Sequence, residues 1–465
     1  MKLKRIWQGI RTRGRQVLVY LKLLSRVAPI PSRCPSPINQ NESNQDYLGR
    51  NRHHLPGPRD FGGMEVRNAV VKFREKLSPY EHLEVWKYQK IYTVGYRRPD
   101  EKIFDNHEKE MFVDNDRNYI GIQYDHINYR YVILAFIGEG GYSRVYRCLD
   151  KKFMTTVAVK MMKDIPGDRY REAAMLLKIS RIKSKAKSHI VKIRDYDTFR
   201  QQVFLVTLSY NYDLSIYLKH TPCYHLRERL QMAKVVLRAL DFLREHHIIH
   251  GDLKPANILF NKRNPLDLKL ADFGLSTMSN QPVGNNMYQT FTYRAPEVFL
   301  GGQATCAMDM WSFGVLLSEM VGKNFLNGRN DKEQFICILE YFGMPPNDYL
   351  DSMEKCSRYF HDRRLPKCCV YPPGQVGVLK CELDMSTKYT YQNRKNPGES
   401  DMRDVFPEPE LHQVYWFLTR CFTWEPGHRI LPTFALRHPL FLFIDKKGEK
   451  KRRRRGRRRG RKQKR

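Results

Sequence analysis

Features that would assign the chain to a membrane, secreted or repeat class are missing. The apolar run of residues 17–24 is short and is interrupted by Lys22, whereas a membrane-spanning helix needs about 20 apolar residues. The ten cysteines include no CxxC pair and no regular framework, so we expect reduced thiols in an intracellular protein. No repeat of solenoid period is visible. The sequence predicts neither a membrane span nor a disulfide-stapled fold.

Acidic residues are also scarce. The 465-residue chain has 82 Lys and Arg against 49 Asp and Glu, a formal net charge of +33. Much of the excess lies at the ends, since residues 1–60 hold twelve basic and three acidic side chains, and residues 446–465 hold fifteen and one. The middle has a modest excess, which indicates an ordinary folded body between basic termini.

The N-terminal region reads as a basic arm followed by a linker. Residues 1–24 fit a solvated arm or a basic amphipathic helix, and a targeting peptide is less favoured because no small-residue cleavage site stands out. Residues 28–62 are rich in Pro, Asn, Ser and Gly, a composition typical of linkers. Globular patterning extends from about Val66 to about Asp445.

Strand signals precede helix signals along this globular part. The β-rich runs are residues 131–137, 143–148, 155–162 and 202–208. Helical periodicity follows over residues 226–244, where apolar side chains recur every three or four positions, and a second helix is expected over residues 308–321. This order predicts an α+β fold of two lobes with a ligand crevice between them.

A glycine string and a lysine lie in the β-rich part. Residues 137–145, IGEGGYSRV, fit a GxGxxGxV pattern with Ser143 at the third glycine position, and the backbone at Gly138 and Gly140 can approach phosphate. A simple hairpin turn explains the string equally well. Lys160 ends the apolar run VAVK, so it either reaches solvent or meets phosphate, because an unpaired buried lysine is costly.

The most specific string follows the first predicted helix. Residues 249–259, IHGDLKPANIL, place Asp252, Lys254 and Asn257 within six positions. An acid, a lysine and an amide suit the orientation of a hydroxyl, the neutralisation of a phosphate and the ligation of a metal, more than a plain polar turn requires. Fifteen residues beyond Asn257, Asp272 of ADFG can hold Mg²⁺, although DFG alone is a common turn.

Two further strings complete the set, TFTYRAPE at residues 290–297 and DMWSFG at residues 309–314. Six motifs in this order resemble the protein kinases over about residues 131–443. The resemblance implies a two-lobed protein-kinase-like fold with a β-rich N-lobe and an α-helical C-lobe. It also implies a structural ion pair between Glu297 and Arg429.

The resemblance narrows to the dual-specificity tyrosine-regulated kinases, class 2 branch. Similar segments lie both before and inside the catalytic domain, at residues 80–86, 92–95, 118–131, 339–346, 421–426 and 435–439. The implied domains are a disordered basic arm (1–62), an accessory module with a pre-kinase box (63–130), the kinase domain (131–443) and a disordered polybasic tail (444–465).

The implied activity is ATP- and Mg²⁺-dependent phosphoryl transfer to Ser and Thr of protein substrates, with tyrosine self-phosphorylation. The implied catalytic residues are Asp252, Lys254, Asn257 and Thr290. Asp252 would orient the attacking hydroxyl and Lys254 would steady the moving phosphoryl group. Asn257 and Asp272 would hold magnesium, and Lys160 would meet the α- and β-phosphates.

The resemblance also implies the remaining nucleotide contacts. They are Ile137, Gly138, Glu139, Gly140, Gly141, Tyr142, Ser143, Arg144 and Val145 of the hairpin, Ala158 and Leu259 around the ring, Thr207 as gatekeeper, and Leu208, Ser209 and Tyr210 as hinge. Thr207 is small where related kinases carry Phe, so we expect the back of the pocket to be open and bulky inhibitors to bind better than to a Thr207→Phe variant.

The expected glutamate partner of Lys160 is a point of departure. Aligned on the family, its position falls among residues 175–177, Met-Leu-Leu, with no acid. Glu172 lies one helical turn before Leu176 and serves only if the helix shifts by a turn. Without it, activity is weak or depends on a partner. This gap and Ser143 support the alternative of a pseudokinase scaffold.

The stretch between ADFG and YRAPE, which corresponds to the activation segment of the family, also departs from the family pattern. The family's self-phosphorylated tyrosine falls on Met287, and the adjacent Tyr288 either inherits that role or is a solvent-facing loop residue. Phe291 replaces a family arginine, and Gly251 stands where HRD has its arginine. We therefore expect an enzyme that is not switched by reversible loop phosphorylation.

The polybasic segment of residues 446–465 has no apolar residue with which to build a core, so we expect it to be disordered when free. It suits a nuclear import receptor first, and non-specific nucleic acid second, through phosphate contacts alone. The expected location is nuclear, cytoplasmic or both. A nucleic-acid-binding protein that happens to carry the domain is a third alternative.

Overall fold

The computed structural model describes residues 61–97, 112–163, 170–221, 226–261, 264–283, 288–361, 365–366, 395 and 397–442. The predicted arm of residues 1–62, apart from its last two residues, and the predicted tail of residues 444–465 lie outside these stretches. Within them, no helix has the length and apolar character that crossing a membrane requires.

An antiparallel sheet of six strands forms the N-terminal lobe. Its strands, in the order in which they pair, are His126–Ile127, Tyr131–Gly140, Ser143–Asp150, Thr155–Met162, Gln202–Leu208 and Ile193–Phe199. Four of them match the predicted β-rich runs. The strand Ile193–Phe199 was not predicted, because it lies at the sheet edge and its middle residues are charged or polar and largely exposed.

Residues 61–97 form a small module that shares a core with this sheet. Its elements are the helices Val66–Lys72 and Pro79–Glu84, the 3₁₀ helices Arg74–Lys76 and Val85–Lys87, and the paired strands Met64–Glu65 and Lys90–Ile91. Ser78 and Glu81 form a reciprocal cap that starts the second helix. Val85 of the module and Phe204 of the sheet belong to one buried apolar cluster, so the two pack as a unit.

Helices form the C-terminal lobe. They are Leu214–His220, Leu226–Glu245, Pro296–Leu300, Ala307–Met320, Asp331–Phe342, Asn347–Asp351, Met402–Val405, His412–Thr419 and Pro432–Ala435, with 3₁₀ turns at Pro255–Asn257, Phe291–Tyr293, Cys356–Arg358, Pro409–Leu411 and Pro426–His428. The two predicted helices are present within one residue of their expected bounds. Ala307–Met320 is apolar on nearly all sides and is buried except at Glu319, as expected for a central core helix.

Shorter elements bring the predicted motifs to the crevice between the lobes. Helix Arg171–Arg181 packs against the sheet and is followed by the 3₁₀ turn Ala186–His189. The small sheets are Tyr212–Asp213 with Ile258–Asn261 and Asn264–Leu270, Ile248–Ile249 with Thr277–Met278, Gln281–Pro282 with Gln303–Ala304, and Phe360–His361 with Leu365–Pro366. Strand Ile258–Asn261 pairs with Asn264–Leu270, and strand Ile248–Ile249 pairs with Thr277–Met278. These pairings place the IHGDLKPANIL string beside the ADFG string. The two-lobed α+β prediction is confirmed.

Candidate catalytic cleft

A lysine bridges two carboxylates in the crevice. Lys160 Nζ lies 2.7 Å from Glu172 Oε2 and 2.8 Å from Asp272 Oδ1. The side chain of Glu172 is 4% exposed and that of Lys160 is 16% exposed, whereas Asp272 is 41% exposed. Glu172 therefore anchors Lys160 from the interior, and Asp272 stays accessible to a ligand.

Glu172 is the partner that sequence alignment placed one turn away. The helix begins at Arg171, so Glu172 lies in its first turn, and Leu176 lies one turn further along and is buried in the core. The second carboxylate oxygen of Glu172 accepts from the backbone N–H of Phe273 at 3.2 Å. One side chain thus joins the helix to both the sheet and the DFG segment.

The charges of this trio support one another. Burial disfavours ionisation of Asp272, but the neighbouring Lys160 outweighs it and lowers the pKa of Asp272 to about 2. Burial also disfavours the Lys160 ammonium, yet Asp272 and Glu172 raise its pKa above the ordinary value. Burial raises the pKa of Glu172, and Lys160 offsets only part of that effect. Lys160 and Asp272 are both charged at neutral pH.

A second polar cluster joins Asp252, Lys254 and Thr290. Lys254 Nζ lies 2.8 Å from Asp252 Oδ2 and donates to Thr290 Oγ1 at 2.9 Å. The Thr290 hydroxyl and backbone N–H both donate to Asp252 Oδ1, at 2.8 and 3.1 Å. An aliphatic hydroxyl thus sits within hydrogen-bonding distance of a carboxylate and an ammonium, an arrangement suited to hydroxyl activation.

Buried side chains hold the loop that carries Asp252. Asn257 Nδ2 donates to the backbone oxygen of Asp252 at 2.8 Å and to its Oδ2 at 3.1 Å, which leaves the Asn257 side-chain oxygen as the atom able to ligate a cation. The Asp309 carboxylate accepts from the backbone N–H groups of His250 and Gly251, at 2.8 and 3.0 Å. Asp309 of the DMWSFG string therefore fixes the turn before Asp252.

The backbone of Asp272 is strained. Its φ of +63° lies in the left-handed region, which costs a non-glycine residue on the order of 1–3 kcal/mol when the surroundings impose it. The next residue, Phe273, is held in place, since its N–H donates to Glu172 and its ring packs edge-on to His250 with ring centroids 4.9 Å apart. This conformation keeps the Asp272 carboxylate beside Lys160.

The residues of the crevice fit a magnesium-bound triphosphate. A Cβ added at Gly138 or Gly141 meets no atom within 4 Å, so the hairpin leaves room for phosphate. Lys160 supplies a cation for phosphate oxygens. Asp272 and Asn257 supply the oxygen atoms that Mg²⁺ prefers.

Comparison with known families decides what kind of protein carries this crevice. The family described as "Protein kinase domain" matches residues 131–441. The chain belongs to the protein kinase family. It is a protein kinase enzyme, and the prediction made from the six motifs is confirmed at that level.

Similar proteins place this kinase near the dual-specificity group. Dual specificity tyrosine-phosphorylation-regulated kinase 3 of Rattus norvegicus is 29% identical over 415 residues, which cover 87% of this chain and 70% of that protein. Dual specificity tyrosine-phosphorylation-regulated kinase 4 of Homo sapiens is 29% identical over 384 residues, which cover 81% of this chain and 70% of that protein. Dual specificity tyrosine-phosphorylation-regulated kinase mbk-2 of Caenorhabditis elegans is 28% identical over 386 residues, which cover 81% of this chain and 46% of that protein. The resemblance to the dual-specificity tyrosine-regulated kinases is confirmed, and the assignment to their class 2 branch stays a prediction.

The predicted nucleotide-site residues of the kinase lie on strands that flank the crevice, but the side chains of Glu139 and Arg144 pair with each other on the outer face of the hairpin, so the prediction that these two side chains contact the nucleotide is wrong. Ile137, Gly138, Glu139, Gly140, Gly141, Tyr142, Ser143, Arg144 and Val145 form the hairpin between the second and third strands of the sheet. Ala158 and Thr207 are direct partners on adjacent strands, and Val145 is paired with Lys160. Leu208, Ser209 and Tyr210 follow Thr207 toward the C-terminal lobe, where Leu259 lies on a short strand.

One of the two alternatives for Tyr288 in the activation segment of the kinase is wrong. Tyr288 is 2% exposed and belongs to the buried core, so it is not a solvent-facing loop residue. Its backbone oxygen accepts from Arg294 Nε at 3.1 Å, and its ring lies against the position that a Gly251 side chain would occupy. Met287 lies outside the described residues.

Sequence reasoning missed Gln289, which organises the same segment. Gln289 is 2% exposed, and its side-chain N–H groups donate to Met308 O at 2.8 Å and Ser312 Oγ at 2.7 Å. Its side-chain oxygen accepts from Ala295 N at 2.9 Å, and its backbone N–H donates to Gly251 O at 2.7 Å. A single glutamine in a polar string carries no signal that predicts such burial.

The predicted pair of Glu297 and Arg429 is confirmed. Two parallel hydrogen bonds of 2.6 and 2.7 Å join the guanidinium to the carboxylate, and both side chains are fully buried. Arg294 adds an ion pair of 2.7 Å with Asp331. These contacts tie the end of the activation segment to the C-terminal lobe.

Proposed function

We propose that this protein kinase transfers the γ-phosphoryl group of magnesium-bound ATP to serine and threonine hydroxyls of protein substrates. The observation that carries the proposal is the ion-paired Lys160, fixed between Glu172 and Asp272. A lysine held in this way is ready to receive phosphate, and the charge pattern needs no rearrangement.

The roles of the side chains follow from their contacts. Asp252 would orient the attacking hydroxyl and accept its proton, and Lys254 would neutralise charge on the transferred group. Thr290 already makes with Asp252 and Lys254 the contacts expected of an aliphatic substrate hydroxyl, which supports a Ser/Thr substrate class. Bound Mg²⁺ would neutralise phosphate charge, with Asp272 and Asn257 as its protein ligands.

The presence of Glu172 beside Lys160 removes the main argument for a pseudokinase scaffold. That alternative relied on an unpaired Lys160 and on Ser143 in place of a glycine. Ser143 is 5% exposed and is accommodated in a regular strand, where it pairs with Met162 and Gly140. Neither feature speaks against catalysis.

A transfer assay tests the proposal. Radiolabelled ATP and a degenerate Ser/Thr peptide library should give label with the wild-type chain, and Asp252→Asn should reduce the rate about 10² to 10⁴-fold. Asp348→Asn, a change at an exposed aspartate in the helix Asn347–Asp351, is the matched control and should retain the wild-type rate. Equal labelling by the wild-type and Asp252→Asn proteins would refute phosphoryl transfer at this site.

We also propose that self-phosphorylation of Tyr288 occurs before the activation segment packs, because the folded segment buries this residue. Mass spectrometry should find phosphate on Tyr288 in the wild-type protein as made in cells and none in Asp252→Asn. Adding ATP and Mg²⁺ to folded, dephosphorylated protein should leave Tyr288 unmodified. Stoichiometric modification of the folded protein would contradict this order of events.

From its sequence, we propose that the segment of residues 446–465 directs nuclear import. The proposed location of the kinase is nuclear, cytoplasmic or both. A reporter fused to this segment should concentrate in nuclei, and a uniformly distributed reporter would contradict the proposal. Binding of DNA with a log–log salt slope of roughly −0.9 per phosphate contact would instead favour a nucleic-acid partner.

A further inference from the structure

A compact turn precedes the catalytic domain. Asp114 Oδ1 accepts from the backbone N–H groups of Asp116 and Asn118, at 2.9 and 3.0 Å, and Asp114 N–H donates to Asn118 O at 2.9 Å. Burial opposes ionisation of Asp114, but the Asn118 N–H and Arg144 outweigh it and lower its pKa. The turn is therefore a rigid unit that carries a carboxylate and an amide.

The glycine-rich hairpin turns a polar face away from the nucleotide side. Glu139 and Arg144 are cross-strand partners, and Tyr146 lies on the same face as Arg144 because it is two residues further along the strand. A bulge between Phe136 and Gly138 keeps Glu139 on this face. The alternate residue Val145 therefore points to the opposite face.

Two contacts join the turn to this outer face, and a third links two residues of the face to each other. Asn118 Nδ2 donates to Glu139 Oε1 at 3.0 Å, while Arg144 Nε donates to Glu139 Oε2 at 2.9 Å. The Arg144 guanidinium also lies 2.7 Å from Asp114 Oδ2. Both oxygens of Glu139 are thus occupied, one by the turn and one by the neighbouring strand.

Tyr146 of the hairpin holds the chain that follows the turn. Tyr146 OH donates to Tyr119 O at 2.7 Å and accepts from Gly121 N–H at 3.1 Å. A Cβ at Gly121 would lie 2.5 Å from the Tyr146 ring, so the chain passes the ring at a distance that only glycine permits. The turn therefore cannot slide along the strand without losing this packing.

We propose that Asp114 and Asn118 are positioning residues that hold the glycine-rich hairpin in its nucleotide-binding conformation by way of Glu139 and Arg144. The inference rests on the proposed function, since it concerns how the same cleft binds ATP. Gly138, Gly140 and Gly141 make the hairpin conformationally free, and ordering it costs entropy on binding. A tether that orders it beforehand lowers that cost.

The expected effect is on nucleotide affinity. Asn118→Ala should raise the Kd for ATP with Mg²⁺ about 3- to 10-fold, less than the full contribution of a hydrogen bond to a charged group, because only its effect on the order of the free hairpin bears on binding. The KM for ATP should rise in parallel, and kcat and the KM for a peptide substrate should change little. Asp116→Ala, an exposed position in the same turn, is the matched control and should leave Kd unchanged.

A double-mutant cycle and hydrogen exchange separate tethering from general destabilisation. Glu139→Ala should weaken ATP binding similarly, and Asn118→Ala combined with Glu139→Ala should be no worse than the weaker-binding single variant. Without nucleotide, amides of the hairpin around Gly140 should exchange faster in Asn118→Ala than in Asp116→Ala, with the melting temperature of each measured alongside.

The results of these measurements separate failure of the tether from failure of the proposed function. Unchanged Kd and unchanged hairpin exchange in folded Asn118→Ala would overturn the tether, as would fully additive losses in the cycle. Failure of the wild-type protein to bind ATP would overturn the proposed function instead. Non-additive losses with faster hairpin exchange would support the inference.

Discussion

Replacement of Glu172 by glutamine isolates the contribution of its charge. Gln is nearly isosteric and can still accept from the Phe273 N–H, so the change removes mainly the attraction to Lys160 at 2.7 Å. A hydrogen bond to a charged group contributes about 1.5–3 kcal/mol. Lys160 keeps its contact with Asp272, so we do not expect the larger cost of an isolated buried charge.

This energy converts to a rate. Since about 1.4 kcal/mol corresponds to a factor of ten, Glu172→Gln should lower kcat/KM for ATP about 10- to 100-fold. The assay is initial-rate phosphorylation of a peptide at varied ATP concentration, with folding checked by thermal denaturation. Arg181→Gln, an exposed change at the far end of the same helix, should behave like the wild-type protein.

A rescue experiment tests the helix register. If the acid belonged at Met175, one of the three positions aligned from sequence, adding Met175→Glu to Glu172→Gln would restore activity. With Glu172 as the true partner, the double variant should stay impaired, because residue 175 lies about 4.5 Å further along the helix axis and cannot restore the 2.7 Å contact at Lys160. Wild-type activity in Glu172→Gln, or rescue by Met175→Glu, would refute the reasoning.

Three further predictions concern stability and pH. Glu297→Gln should destabilise the fold by about 3–5 kcal/mol in denaturant titrations, because it leaves the buried Arg429 charge without its partner. Gly251→Ala should cost at least about 1 kcal/mol in the same assay, since φ is +76° and the new Cβ would lie 2.8 Å from Leu275 O. The raised pKa of Lys160 keeps it protonated as pH rises, so kcat/KM should show no loss from Lys160 between about pH 7 and 10. Glu172→Gln should shift any alkaline loss to lower pH.

Much of the fold was predictable because its strongest signals are local. Helix Leu226–Glu245 follows a three- and four-residue apolar period, and the strand Thr155–Met162 is a dense β-branched run. The edge strand Ile193–Phe199 was not predictable in this way, because its stability comes from pairing with Gln202–Leu208 rather than from its own polar composition.

The candidate site was predictable where residue types repeat a known pattern, and not where partners meet only in three dimensions. Asp252, Lys254 and Asn257 stand close together in the sequence. The pairing of Lys160 with Glu172 depends on where a helix begins, and sequence determines helix ends only to within a few residues. The burial of Tyr288 depends on packing from segments far away in the chain.

Calorimetric titration of the wild-type chain with ATP is the most direct test of the magnesium-triphosphate site. The account predicts binding that requires Mg²⁺, that is abolished by a chelator, and that weakens at least about tenfold in Asp272→Asn, because one carboxylate ligand and its charge are lost. ATP binding of equal affinity with and without Mg²⁺, or in the wild-type and Asp272→Asn proteins, would contradict it.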